Sequence, residues 1–175
     1  AIPDATRVTT IMLGSHQPEQ ATIAYVKRFI EAKCDTTDDL LFVVATYDSL
    51  YDAIATLDSA PHLEIIPLTF QKESVIDPLL YRSDATLTKG GGLTAMELLA
   101  IARGEVWIHS ESPPGEDPLS GMPIWEAGNA RYLMRAKGAH CVTSQTFEVP
   151  LNCFLSRKRG EEVPRNPLAP AGRAL

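Results

Sequence analysis

The chain has 175 residues, which at roughly 100–200 residues per domain makes one domain. Hydrophobic residues make up 45% and charged residues 22%, a globular balance that excludes a wholly disordered or collagen-like chain. Lysine plus arginine is 16 and aspartate plus glutamate is 22, so the charge of −6 gives no global attraction for nucleic acid or anionic lipid.

The first predicted element is a strand over Val8 to Leu13, β-branched and apolar, ending at Gly14-Ser15. A helix is expected from about Glu19 to Lys33, with Pro18 suited to a first turn and Ile23, Val26 and Ile30 forming one apolar face. Leu40 to Ala45 is a continuous apolar run, as in a strand buried on both faces. A short helix over Ser49 to Leu57, a strand over Leu63 to Pro67 and a helical stretch over Ser74 to Arg82 follow. Pro78 is expected to interrupt that stretch. Next come a strand at Ala85 to Thr88, the turn Lys89-Gly90-Gly91-Gly92 and a helix from Thr94 to Arg103. Glu105 to His109 reads as a strand, Ser112 to Pro123 as a Pro/Gly-rich loop, and Ile124 to Lys137 as a helix ended by Gly138. His140 to Thr143 supplies a sixth strand.

Strands alternating with helices imply parallel βαβ units with helices on both faces of one sheet. The expected fold class is therefore α/β, a Rossmann-like domain over residues 1–155. The segment 156–175 holds Pro164, Pro167 and Pro170 without apolar periodicity, and reads as a flexible tail or an arm that orders against a partner. The longest apolar run, Leu40 to Ala45, is far short of the ~20 residues a transmembrane helix needs. Cys34, Cys141 and Cys153 are odd in number and far apart, which suits reduced thiols in a cytoplasmic protein. No Cys-x-x-Cys or His-x-x-x-His spacing suggests a metal. The chain opens at Ala1 rather than methionine, as a piece cut from a longer protein would.

Ligands of open α/β sheets bind at the carboxyl ends of the strands. Three loops fall there: Gly14 to Gln17, Lys89 to Leu93, and His109 to Trp125. The first two lead into helices, whose unpaired N–H groups and positive dipole end suit a phosphate. Gly90, Gly91 and Gly92 let backbone approach a ligand and adopt positive φ, or serve a tight turn that packs closely. The Gly-x-Gly-x-x-Gly fingerprint, the Walker loop and the Gly-x-Ser-x-Gly elbow are all absent. Thr94 and Glu97 fit a capping box, or Glu97 accepts hydrogen bonds from a vicinal diol such as a ribose. Glu126 and Asn129 share one face near the start of the last long helix, where they are either a solvated first turn or ligand contacts. His16, Lys89 and His109 are loop-edge candidates for a phosphate, a diphosphate and a sugar respectively, against a solvated alternative for each.

Together, SDATLTKGGGLTAMELL (Ser83 to Leu99) and WEAGNARYLMRAKGA (Trp125 to Ala139) resemble the two donor-site signatures of one group of GT-B glycosyltransferases. That group includes the peptidoglycan N-acetylglucosaminyltransferase and monogalactosyldiacylglycerol synthase. The resemblance implies the carboxy-terminal, donor-binding half of a GT-B fold, taking a UDP-sugar as substrate with no cofactor and no metal. It implies that Glu97 holds the ribose hydroxyls, with Gly90, Gly91, Gly92, Leu93 and Thr94 at the preceding turn. It further implies that Glu126, Gly128 and Asn129 contact sugar and phosphates, Gly14 and Ser15 the phosphates, and Phe70 the base. Trp125 stands where that group has glutamine, and the phosphate loop lacks the group's other glycines. No catalytic residue is assigned, since the base of such enzymes usually belongs to the amino-terminal domain. That acceptor domain, absent here, is the expected partner. It is either covalent or a separate subunit, as in the dolichol-linked N-acetylglucosaminyltransferase, and it would bring any membrane association. The alternative functions are a non-catalytic module binding a nucleotide sugar or a partner, and half of a nucleotide-sugar epimerase.

Overall fold

The computed structural model describes residues 2–14, 19–32, 38–113 and 115–157. Its strands are β1 (Arg7–Met12), β2 (Asp39–Val44), β3 (Leu63–Leu68), β4 (Ala85–Thr88), β5 (Glu105–His109) and β6 (His140–Val142). The helices are α1 (Glu19–Glu31), α2 (Asp48–Ala55), α3 (Glu73–Arg82), α4 (Gly92–Ile101), α5 (Ile124–Lys137) and α6 (Glu148–Ser156). All strand pairs are parallel, in the order β3-β2-β1-β4-β5-β6. The winding reverses between β1 and β4, which pair from Thr9 opposite Ala85 to Met12 opposite Thr88. The fold is the expected Rossmann-like α/β sheet.

Period-two alternation along the strands feeds two cores, one on each face. On one face Ile11, Leu87 and Trp107 pack with Tyr25, Phe29, Ile54, Phe147 and Phe154, from α1, α2 and the α6 region. On the other, Val106 and Ile108 pack with Ile76, Leu80, Leu98, Ala130 and Leu133, from α3, α4 and α5. Each fully buried Leu or Ile contributes roughly 1.5–3 kcal/mol, so the helices on both faces contribute to holding the sheet.

Two elements differ from the sequence expectation. Pro78 sits inside α3 without ending it, because Ile76 and Leu80 on either side are buried and the proline faces outward. The lost backbone bond is outweighed by that anchoring. The second difference is α6, which the sequence reading left out. Phe147, Leu151 and Phe154 follow at i, i+4 and i+7 and are buried against Trp107 and Tyr25, while Pro150 is tolerated within the first turn. Ser156 closes this helix. Arg7 donates to the carbonyls of Leu155 (3.2 Å) and Arg157 (2.9 Å), and the Arg157 guanidinium pairs with Glu105. The body therefore extends through Arg157, and the rest of the proline-rich segment lies outside the described residues.

Candidate functional site

At the carboxyl end of the sheet, beside the winding reversal, the loops after β1, β4 and β5 open together. Gly14 leaves β1 with a φ of 78°, and open space surrounds the position a Cβ would take. Ser15 and His16 lie outside the described residues.

The turn between β4 and α4 combines packing and openness. A Cβ on Gly90 would sit 2.9 Å from the Glu126 carbonyl oxygen, so glycine is required there for the close approach of α5. Nothing lies within 4 Å of the same position on Gly91. None of the three glycines takes a positive φ, so that part of the expectation fails. Extended backbone at Gly91 starts the helix at Gly92, two residues ahead of Thr94. Thr94 thus lies inside α4, and Gly91 holds the N-cap position without any side-chain cap. The capping-box reading of Thr94 and Glu97 is removed.

Helix α5 starts the same way, with Pro123 at the N-cap and no side-chain cap. The first intrahelical acceptors are the carbonyls of Gly91 and Pro123, bonded by Ala95 and Ala127. The N–H groups of Gly92, Leu93 and Thr94, and of Ile124, Trp125 and Glu126, precede those bonds and point out of the helices toward the cleft end. Two positive helix ends therefore face the same end of the sheet.

The two starts are fastened to each other. Lys89 Nζ lies 3.0 Å from Glu126 Oε1, with both side chains largely buried, and Asn129 Nδ2 donates to the Gly90 carbonyl at 3.0 Å. Glu126 and Asn129 are thus turned inward on the Gly-rich turn, and the solvated-first-turn alternative is corrected. Gly92 lies alongside Asn129, whereas Gly128 is exposed on the outer face of α5.

Glu97 looks the other way, toward α3. Burial, followed by the charges of Asp77 and Glu73, pushes its carboxyl above the ordinary range. Asp77 Oδ1 is buried and has no hydrogen-bond partner among the described residues. Phe70 precedes α3 and is exposed, and the first turn of that helix carries Glu73.

A cavity of about 270 Å³ opens beside Lys89 and Glu126, closed by His109, Ser110, Glu111, Gly121, Met122 and Pro123. His109 ends β5 and is 5% exposed. Its Nδ1 meets the Tyr25 hydroxyl at 2.8 Å, and that hydroxyl also donates to the Val142 carbonyl at 3.2 Å. Burial lowers the His109 pKa from its usual 6.5, with Glu111 pulling it up and Lys89 down, so the ring is neutral at pH 7. The loop after β5 is held by serines. Ser112 Oγ donates to the Pro118 carbonyl (2.9 Å) and accepts from the Gly121 N–H (3.0 Å). Tyr25, Glu111 and Ser110 were not singled out from sequence. Tyr25 reads as one more apolar position on α1, and no local signal shows that its hydroxyl crosses to β5. Among the described residues no helix is long and apolar enough to cross a membrane, and no cluster of His, Cys, Asp and Glu could hold a metal ion.

No family model and no curated protein matches the sequence. Solved structures do match the fold. The glycotransferase of kitacinnamycin aligns over 90% of this chain and 37% of its own, with a TM-score of 0.55 at 15% identity. The spinosyn rhamnosyltransferase SpnG, complexed with thymidine diphosphate, aligns over 87% of this chain and 38% of its own, with a TM-score of 0.54 at 14% identity. The chain therefore has the fold of one half of a GT-B glycosyltransferase, and spans less than two fifths of those proteins.

Proposed function

We propose that this chain is the donor-binding half of a GT-B glycosyltransferase, which takes a UDP-sugar and passes its glycosyl group to an acceptor hydroxyl. The observation that carries this reading is the pair of uncapped helix starts, α4 and α5, braced together at one end of the sheet. Backbone N–H groups and positive helix ends suit a diphosphate. In the reaction the bond from the anomeric carbon to the diphosphate oxygen breaks, and a bond to the acceptor oxygen forms. The acceptor proton leaves to a base on the complementary half, while the fixed dipoles here stabilise the charge growing on the diphosphate. Glu97, relieved of any capping duty, would accept both ribose hydroxyls, and those donors would offset its repulsion by Asp77. Phe70 would lie against the base, and Gly14, Ser15 and Lys89 would serve the phosphates.

Exposed apolar side chains support the need for a second half. Phe70 (79% exposed) lies in the loop between β3 and α3, and Leu93 (71%), Met96 (64%), Ile124 (82%) and Trp125 (68%) lie in the first turns of α4 and α5 at this end of the sheet. Apolar groups gathered near a polar site mark surfaces that become covered. The covering body is the acceptor-binding half, whether covalent or a separate subunit.

Calorimetry of the chain against UDP, GDP and ADP tests the proposal. UDP is expected to bind best, with no transfer by the chain alone. Absence of binding by all three removes the donor-domain reading, and robust transfer without a second half removes the half-enzyme reading. Binding that persists without turnover after the complementary half is supplied would instead identify a non-catalytic module.

A further inference from the structure

The cavity beside Lys89 is bordered by the start of α5, since Pro123 holds that helix's N-cap and Glu126 lies in its first turn. Its volume of about 270 Å³ falls below the ~300–1,000 Å³ of clefts that hold drug-sized ligands, so it takes one part of a nucleotide. The open N–H groups of Ile124, Trp125 and Glu126 favour an anion at this end. Lys89 and Glu126 neutralise each other, and Ser110 Oγ is already bonded to Ser112 and to the Pro118 carbonyl. Among the lining side chains, His109 is the buried one still short of a partner. It is 5% exposed, and its Nε2 has no hydrogen bond among the described residues.

Both ring nitrogens of His109 face acceptors. Tyr25 keeps both of its bonds only by donating to the Val142 carbonyl, which leaves its oxygen to accept from Nδ1–H. On the other side the Glu111 carboxylate, which only accepts when ionised, lies 3.9 Å from Nε2. The titratable groups facing the ring are thus Tyr25 from α1, Glu111 from the loop after β5, and Lys89 from the turn after β4. Glu126 of α5 is held by Lys89. Two acceptors are the hydrogen-bond set of an imidazolium. Burial and the Lys89 ammonium are what oppose the second proton. A phosphate at the start of α5 shifts that balance, because its charge offsets Lys89 and its oxygens accept from Nε2–H.

Resting on the donor-domain reading, we propose that His109 takes up a proton when the diphosphate binds, and that its Nε2–H then holds a phosphate oxygen at the start of α5. The proton comes from solvent, and no covalent bond in the nucleotide changes. A phosphate, not a sugar, is thereby the partner of His109. Because the complex holds one more proton than the free protein, affinity rises as pH falls, by the same linkage that ties folding to pH.

Calorimetry of UDP binding to the whole chain, repeated in buffers of different ionisation enthalpy, counts the protons taken up. Between pH 7 and about 8.5 the terminal phosphate of UDP, with a second pKa of about 6, stays largely ionised and contributes little of its own. The parent is expected to take up a substantial fraction of one proton near pH 7, and to bind UDP about threefold or more tightly there than near pH 8.5. A single proton limits that change to about tenfold per pH unit. His109→Asn keeps an amide toward Tyr25 and cannot take the proton, so its uptake and pH dependence should vanish. Glu111→Gln, at a side chain 54% exposed, should fold normally and lower the uptake, because the carboxylate that favours the imidazolium is gone. UDP binding without proton uptake, or uptake retained in His109→Asn, overturns the inference while the donor-domain reading stands. If His109→Asn does not fold, unchanged uptake in Glu111→Gln overturns it instead. Failure of the parent to bind UDP overturns the donor-domain reading and this inference with it.

Discussion

The two carboxylates placed by the Gly-rich turn and its neighbour helix live in opposite surroundings. Glu126 is buried against Lys89, and its helix is tied to the turn by Asn129. Glu97 has no cation among the causes of its shift, faces Asp77 and Glu73, and is pushed toward its protonated form. One corner is assembled by its own contacts; the other carries like charges that only an added hydrogen-bond donor would relieve. A residue that braces the fold should cost stability when changed, whereas one held in waiting should cost affinity instead.

The largest effect is expected from breaking the assembled corner. Lys89→Met leaves the Glu126 carboxylate buried and unpaired. The loss should be about 3 kcal/mol, the lower end for broken buried pairs, because the Lys89 side chain keeps 20% exposure. At ~2–4 °C per kcal/mol for a chain of this size, the melting temperature should fall by roughly 6–12 °C. Lys89→Met combined with Glu126→Met should recover most of that loss. A single variant that melts like the parent would show that the pair contributes nothing. Gly90→Ala attacks the same corner through sterics. Its Cβ would lie 2.9 Å from the Glu126 carbonyl oxygen, so the turn and α5 must separate, at about 1–3 kcal/mol by thermal unfolding. Gly91→Ala meets open space and should be nearly silent in stability.

The difference between the corners was only half legible in the sequence. The alternation of apolar runs with helical periods gives the sheet and most element bounds to within a residue or two. Strands β2 and β3 are nearly all apolar, and β1 and β4 mix apolar residues with β-branched threonines, so they announce themselves. Glu126 and Asn129 were readable as one face of a helix, but which way that face turns depends on the approach of α5 to Gly90, a long-range contact. Thr94-x-x-Glu97 looks like a cap locally, and the tertiary setting of Gly91 moved the helix start ahead of it. Helix α6 escaped because its apolar spacing spans only three buried positions and a proline sits in its first turn. Tyr25 was invisible as a site residue because its partner, His109, lies 84 positions away on β5, and although Glu111 is only two residues from His109, no local pattern shows the two side chains facing each other.

Glu97→Gln sharpens the comparison from the waiting side. The amide keeps the size but not the charge that ribose hydroxyls would meet, and charged hydrogen bonds contribute roughly 1.5–3 kcal/mol against 0.5–1.5 for neutral ones. UDP affinity should fall by about tenfold. The melting temperature should hold or rise slightly, since repulsion by Asp77 and Glu73 is removed. A loss of stability with UDP affinity intact would reverse the roles assigned to the two corners.

The smallest effect concerns His109, which lies on the assembled side yet keeps one nitrogen unbonded. Burial is the main cause of its lowered pKa, and it outweighs the upward pull of the Glu111 carboxylate; the nearby Lys89 ammonium acts in the same direction as burial. Tyr25, the remaining titratable neighbour, has its hydroxyl pushed higher by burial and stays protonated throughout. Well above pH 6.5 neither the folded nor the unfolded chain holds a proton on this ring. As pH falls through 6.5 the unfolded chain takes one up first, so stability is lost until the folded pKa is passed, and below it the full loss remains. A single group cannot exceed a slope of about 1.4 kcal/mol per pH unit, and that slope is confined to the window between the folded pKa and 6.5. Denaturant unfolding between pH 5 and 8 should therefore show this slope in the parent and a flatter one in His109→Asn, whose amide can still bond Tyr25. The comparison is of slopes, so any constant cost of the smaller side chain drops out. Equal slopes in the two proteins would mean that His109 titrates alike in the folded and unfolded chain, and that its surroundings are wetter than its burial indicates.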